Sequence, residues 1–211
     1  MTAGLWRPTP RRLAQVVFGL TLFGTGEGLV VGSELGNSPW SVFAEGLEVQ
    51  TPLTIGAATL LISTVVMLCW IPLGERRLGL GTLLNALIIS AMIDVTLWWL
   101  PTLHATGVRW VALLGGIALV GVGSGLYLTA ALGPGPRDGL MTGIHARTGW
   151  PIFAVRTGIE STAVAIGWVL GGTVGVGSLL FALLVGPAVA TALRVGGSSP
   201  PVPAEAPSPT A

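Results

Sequence analysis

The chain has 211 residues, of which 51% are hydrophobic and only 9% charged, and its mean hydropathy is +0.80. That balance leaves too few polar side chains to cover a water-soluble domain, so the chain reads as an integral membrane protein. A net charge of +1, carried by ten arginines without a lysine, offers no basic surface for nucleic acid; the information lies in where the arginines fall.

Residues 1–12 are polar and hold Arg7, Arg11 and Arg12 ahead of an apolar run that starts at Leu13. The run continues to about Leu35 with no small-residue cleavage site, too long for the apolar core of a signal peptide, so it reads as an anchored first span. Hydropathy then gives six spans in all: Leu13 to Leu35, Leu53 to Leu73, Leu78 to Leu100, Val108 to Leu132, Ile152 to Leu170 and Val174 to Leu193. Each approaches or exceeds the roughly 20 residues a helix needs to cross the hydrocarbon core. Pro52, Pro72, Pro101, Pro151 and the Gly171-Gly172 pair punctuate their ends, and Pro187 falls inside the last. From residue 195 the Pro, Ser and Ala-rich tail has nothing to bury and reads as disordered. Cys69 has no partner for a disulfide and reads as a small hydrophobe.

With the N-terminus inside, Arg7, Arg11, Arg12, Arg76, Arg77, Arg137, Arg147 and Arg194 flank spans on the cytoplasmic side, and Arg109 alone lies outside. Eight against one is a strong positive-inside bias and places both termini in the cytoplasm.

Residues Gly24 to Thr51 reappear, without a gap, as Gly121 to Thr148, an offset of 97. Gly24, Gly26, Gly28, Leu35, Gly36, Pro39 and Gly46 meet Gly121, Gly123, Gly125, Leu132, Gly133, Pro136 and Gly143. The chain therefore divides into a first unit over 13–100, an external connection at 101–107 and a second unit over 108–194. Three spans per unit is an odd number, so the second unit must insert from the opposite face. The expected fold is an all-α membrane protein of six transmembrane helices in two inverted three-helix repeats.

Each unit also carries a short segment, 38–50 and 136–148, that is too brief to cross the bilayer. Ser38-Pro39 opens the first as an N-cap followed by proline at the first helical position; Pro136 opens the second. Trp40, Phe43 and Leu47 share one helical face, with Ser41, Glu45 and Glu48 opposite. In the second segment Leu140, Met141 and Ile144 oppose Asp138, Thr142 and His145. Either an interfacial amphipathic helix or a re-entrant half-helix satisfies that pattern.

Glycines recur every four residues at 24, 28, 32 and 36, and Gly121, Gly125 and Gly133 repeat them. Close helix packing is their simplest role. Gly28, Gly36, Pro39, Trp40, Gly125, Gly133 and Pro136 are accordingly the candidates for helix packing and gating. Ionisable residues at membrane depth are costly and mark a pathway for substrate or ions. Glu27, Asp94, Arg156, Glu160 and Asp138 are those candidates; Arg156 and Glu160, four apart, share a face and can pair. The pattern holds no catalytic triad, metal-ligand spacing or phosphate loop, and GVGSG lacks the strand and spacing of a dinucleotide fingerprint. Neither a catalytic residue, a metal nor a cofactor is expected.

The duplicated Gly-x6-Leu-Gly-x2-Pro element, Arg156 with Glu160, and GGTVGVGSLLFALLVGPAV at 171–189 together resemble the YczE/YitT group of bacterial multi-pass membrane proteins. The resemblance runs from about Gly26 to Val189. The group's late motif reads Gly-x-Gly-Thr, where this chain has Gly175, Gly177 and Ser178. It implies a plasma-membrane location and no defined activity. The expected function is a small secondary transporter or exporter acting on a small molecule, with the lipid bilayer as its surroundings. The rival is a non-transporting accessory protein that supports assembly or secretion by a membrane partner, alone or as a homo-oligomer.

Overall fold

The computed structural model describes residues 3–75 and 77–195. Arg76 and the expected disordered tail from residue 196 lie outside the described residues. All regular structure among the described residues is helical. The major helices are α1 (Pro10–Gly32), α2 (Pro39–Gln50), α3 (Ile55–Leu73, with a break at Cys69), α4 (Leu80–Trp99), α5 (Thr106–Thr129), α6 (Pro136–Thr148), α7 (Ile152–Val169) and α8 (Val176–Val195). Six of them, all but α2 and α6, are long and apolar enough to cross a membrane. They coincide with the six hydropathy spans to within a few residues.

At the centre α1 crosses α5, and the crossing is made by missing side chains. A Cβ on Gly26 would stand 2.5 Å from the Gly116 carbonyl oxygen, and one on Gly116 2.6 Å from that of Gly26. Gly19 and Gly123 meet in the same manner. Gly19 and Gly26 are the counterparts of Gly116 and Gly123 at the offset of 97, so each contact is returned by its equivalents. The expected packing stripe faces the next helix round. Gly24 and Gly28 admit Met92 and Thr96 of α4, while Gly121 and Gly125 admit Ala188 and Ala192 of α8. Backbones thus approach closely where dispersion and packing, rather than water, must hold helices together.

Exchange of equivalent contacts extends to the helix ends. The Arg12 guanidinium donates to the carbonyls of Ala130 (2.6 Å) and Ala131 (3.1 Å) at the end of α5. Arg109, 97 residues on, donates to those of Ser33 and Glu34 at the end of α1, both at 2.7 Å. Each arginine supplies donors and positive charge to a C-terminus whose last carbonyls lack intrahelical partners. Glu34 and Ala131, the non-glycine residues with positive φ among the described residues (54° and 50°), turn the chain there. Gly36 and Gly133 (φ 115° and 119°) complete the turns, a conformation that glycine adopts without steric cost. The loops then bond across: Gly81 N–H donates to Leu132 O at 2.9 Å and Gly177 N–H to Leu35 O at 2.7 Å. In this last helix of each unit the offset is 96, since α7 has 18 residues against the 19 of α3.

The short helices do not lie apart from the bundle. α2 is wedged between α3 and α7, and α6 between the same two helices from its own side. Trp40, Ser41, Val42, Ala44 and Gly46 of α2 are buried, so polar and apolar faces alike are covered over its first two turns. Glu45, on the polar face that the pattern gives this segment, accepts from Asn37 Nδ2 (2.7 Å) and from the Thr173 hydroxyl (2.9 Å).

Candidate functional site

A cavity of about 420 Å³ lies among α1, α2, α4, α5, α6, α7 and α8. Its polar wall is assembled from helix starts and single turns. Ser38 caps α2 and Pro39 follows at the first helical position, so α2 starts beside the cavity, which both Pro39 and Trp40 line. The Ser38 and Ser41 hydroxyls donate to Glu27 Oε2 at 2.8 and 2.6 Å. Glu27 is fully buried, and its other oxygen, Oε1, has no partner. An unmade hydrogen bond at a buried carboxylate costs free energy, so a donor is wanted there.

α6 begins in the same way. Pro136 takes the first position, and its carbonyl is fixed by Trp70 Nε1–H at 3.0 Å. Asp138 sits in the first turn and accepts from the Tyr127 hydroxyl at 2.8 Å. Both short helices therefore begin at the cavity with a carboxylate near the start, Glu27 by α2 and Asp138 in α6, as the helix dipole favours. Arg137 lies between, its guanidinium carbon 5.0 Å from the centroid of the Trp40 ring. On α7, Arg156 Nε bonds Glu160 Oε1 at 2.9 Å across one turn, and both line the cavity.

Of the five pathway candidates the fold brings four together: Glu27, Asp138, Arg156 and Glu160. Asp94 does not join them. It accepts from the Thr54 hydroxyl (2.6 Å) and the Gly56 N–H (2.8 Å), holding the start of α3 against α4. Among the packing and gating candidates, Pro39, Trp40 and Pro136 line the cavity, Gly28 and Gly125 admit neighbouring helices, and Gly36 and Gly133 form the turns. Arg137, Tyr127, Ser38 and Ser41 were not among the pathway candidates: Ser38 reads from the sequence as an N-cap, Ser41 as part of a polar face and Arg137 as a cytoplasmic flank. Arg137 had one signal: it is the counterpart of Trp40 at the offset of 97.

A second hollow of about 510 Å³, lined by Leu29, Leu100, Val111, Leu119 and Val122 among others, is larger, but no ionisable side chain lines it. It offers dispersion contacts alone, so the chemistry belongs to the first.

The family profile that matches covers residues 10–194 and is described as a family of unknown function, DUF6198. An uncharacterized protein of Haemophilus influenzae is 42% identical over 201 residues, covering 95% of this chain and 92% of its own. The uncharacterized membrane protein YczE of Bacillus subtilis is 35% identical over 169 residues, covering 80% of this chain and 79% of its own. A third relative, the uncharacterized protein YyaS of the same organism, is 27% identical over 171 residues, 80% of this chain and 85% of its own. The YczE resemblance read from the sequence motifs is borne out by these matches. No solved structure matches the chain.

Proposed function

Starting from a chain that belongs to the family of unknown function DUF6198, we propose that it is a small secondary transporter or exporter of the bacterial plasma membrane. Its two units are inverted repeats, with both termini cytoplasmic and α2 and α6 entering the membrane from opposite faces as re-entrant gates. The observation that carries the reading is the cavity where the two units meet, with Glu27, Arg137, Asp138, Arg156 and Glu160 on its wall. Membrane-buried ionisable groups around a central hollow are the arrangement through which repeat-built transporters hold substrate and coupling ion. The returned contacts of Gly19, Gly26, Arg12 and Arg109 support a pair of units able to rock about the α1–α5 crossing.

Flux of labelled metabolites into proteoliposomes tests it. Substrate-dependent flux that Arg156→Ala reduces without loss of folded protein is the expected result. Absence of flux across a broad panel, with Arg156→Ala altering stability alone, overturns the reading. Co-purification of one stoichiometric membrane protein would then favour the accessory role. Reporter fusions after Gly74, Thr106 and Thr148 test the topology separately, and a cytoplasmic signal at Thr106 removes the inverted arrangement.

A further inference from the structure

The two units differ in how their last two helices pack, and that difference opens the cavity. In the first unit α3 and α4 pack side by side, held by Asp94 on Thr54 and Gly56. Their counterparts α7 and α8 have no extended contact; α8 packs on α5, and α7 on α2 and α6. The latch residues Thr54, Gly56 and Asp94 are replaced by Pro151, Phe153 and Ala190, and Ser90, whose backbone carbonyl stands against Gly56, by Gly186. Gly186 and Ala190 line the cavity, Gly186 is exposed, and nothing stands within 4 Å of a Cβ placed on it. The cavity thus reaches the outer surface of the bundle between α7 and α8, two helices that span the membrane by length and composition.

A hollow that faces acyl chains on one side and charged side chains on the other suits a guest with both characters. Phe181, Val185, Val189 and Leu193 supply its apolar wall along α8, a stretch of about 18 Å at 1.5 Å per residue. Glu27 supplies a fully buried acceptor atom without a donor. Three carboxylates, Glu27, Asp138 and Glu160, line the wall against two guanidiniums, Arg137 and Arg156. One carboxylate is formally in excess, which favours a cationic guest. A helix from a second protein fits poorly: a cylinder about 10 Å wide with a 5.4 Å pitch needs roughly 420 Å³ for each turn, so the cavity would take one turn only.

We propose that this site takes a cationic amphiphile bearing a protonated amine, admitted sideways from the bilayer between α7 and α8. The ammonium N–H donates to Glu27 Oε1, and the alkyl chain lies along α8. The inference rests on reading the cavity as a substrate site.

The test is binding of radiolabelled dodecylamine at pH 7 to the full chain in lipid nanodiscs, corrected for empty discs. One saturable site per chain is expected, displaced by unlabelled dodecylamine and not by dodecanoate. Dodecyltrimethylammonium, with the same tail and charge but no N–H, should bind several-fold more weakly. Glu27→Gln should weaken binding at least tenfold, and Ala190→Trp, which plugs the gap, should weaken it comparably. If Glu27→Gln does not fold, Ala190→Trp and the trimethyl probe carry the test. Displacement by dodecanoate, equal binding of the trimethyl probe, unchanged affinity in either folded variant, or no saturable site overturns the proposal. Saturable binding of dodecylammonium without its movement across proteoliposomes would sink the transport reading and leave this site standing. Flux of another solute with no amine binding would do the reverse.

Discussion

Arg137 rests its guanidinium carbon 5.0 Å from the centroid of the Trp40 ring, and the two residues hold the same position in the two units, 97 apart. A pair of equivalent positions in contact marks where the units face each other. One has become a cation and the other the aromatic face that receives it. Shielded cation–π pairs reach about 2 kcal/mol, against about 0.5–1 kcal/mol for exposed ones. A double-mutant cycle on Trp40→Leu and Arg137→Leu should therefore give a coupling of about 1–2 kcal/mol in detergent-solubilised thermal or denaturant unfolding. Additive effects would mean that the stack contributes nothing.

Arg12 and Arg109 should behave as a matched pair. Each spreads its donors over carbonyls at the end of a helix in the other unit. Hydrogen bonds from a charged donor contribute about 1.5–3 kcal/mol, so either arginine to alanine should cost stability on that scale. Lysine should restore only part, since it lacks the planar fork. A variant at one position that unfolds no more readily than the parent would show that its bonds are replaced by water.

The glycines divide by what a side chain would meet. Gly26→Val and Gly123→Val should prevent correct assembly, because the added atoms enter the backbone of the crossing helix. Gly115→Ala should be neutral or stabilising by up to about 1 kcal/mol, since nothing stands within 4 Å and alanine is the better helix former. Yield of monodisperse protein and the unfolding midpoint distinguish the two classes; equal behaviour would refute the division.

How much of this was legible in the sequence follows from distance along the chain. The spans, the duplicated turns and the Arg156–Glu160 pair depend on neighbours within a turn or on a local pattern, and hydropathy and spacing reveal them. Asp94 stands apart from the cavity group, and its partners Thr54 and Gly56 were not legible beside it because they lie some 40 residues earlier in the chain. The same limit hid the Glu27–Ser38–Ser41 group and the stacking of Arg137 on Trp40, which exist only after the chain has turned back. The altered latch at Phe153, Gly186 and Ala190 was present in the letters. Reading it required the one-residue change of offset in the last helix.

Acid should weaken the end of α3. The Arg77 side chain bonded to the Glu75 carboxylate (2.8 Å) holds that carboxyl down from its ordinary 4.5 to about 2, helped by the Thr142 hydroxyl. A depressed folded value means that the stabilisation is fully present above about pH 4.5. It is lost progressively as pH falls from there towards 2, where the folded carboxyl takes up its proton. The unfolding midpoint should fall over that window, and Glu75→Gln should lower it at neutral pH while flattening the acid dependence. An identical slope in both proteins would assign the acid sensitivity to other groups.

Asp94 offers the cleanest separation of scaffold from site. It accepts from the Gly56 N–H and the Thr54 hydroxyl at the first turn of α3, the task an N-cap side chain performs, but from a neighbouring helix. Removing such a cap costs about 1–2 kcal/mol, so Asp94→Ala should lower the unfolding midpoint. Because Asp94 does not line the cavity, dodecylammonium affinity should stay within about twofold of the parent. Asn at the same position can still accept and should recover much of the stability. A large loss of affinity in folded Asp94→Ala would place the carboxylate on the pathway after all. It would also imply that the latch between α3 and α4 opens as the gap between α7 and α8 does, so that the two units exchange roles during a cycle.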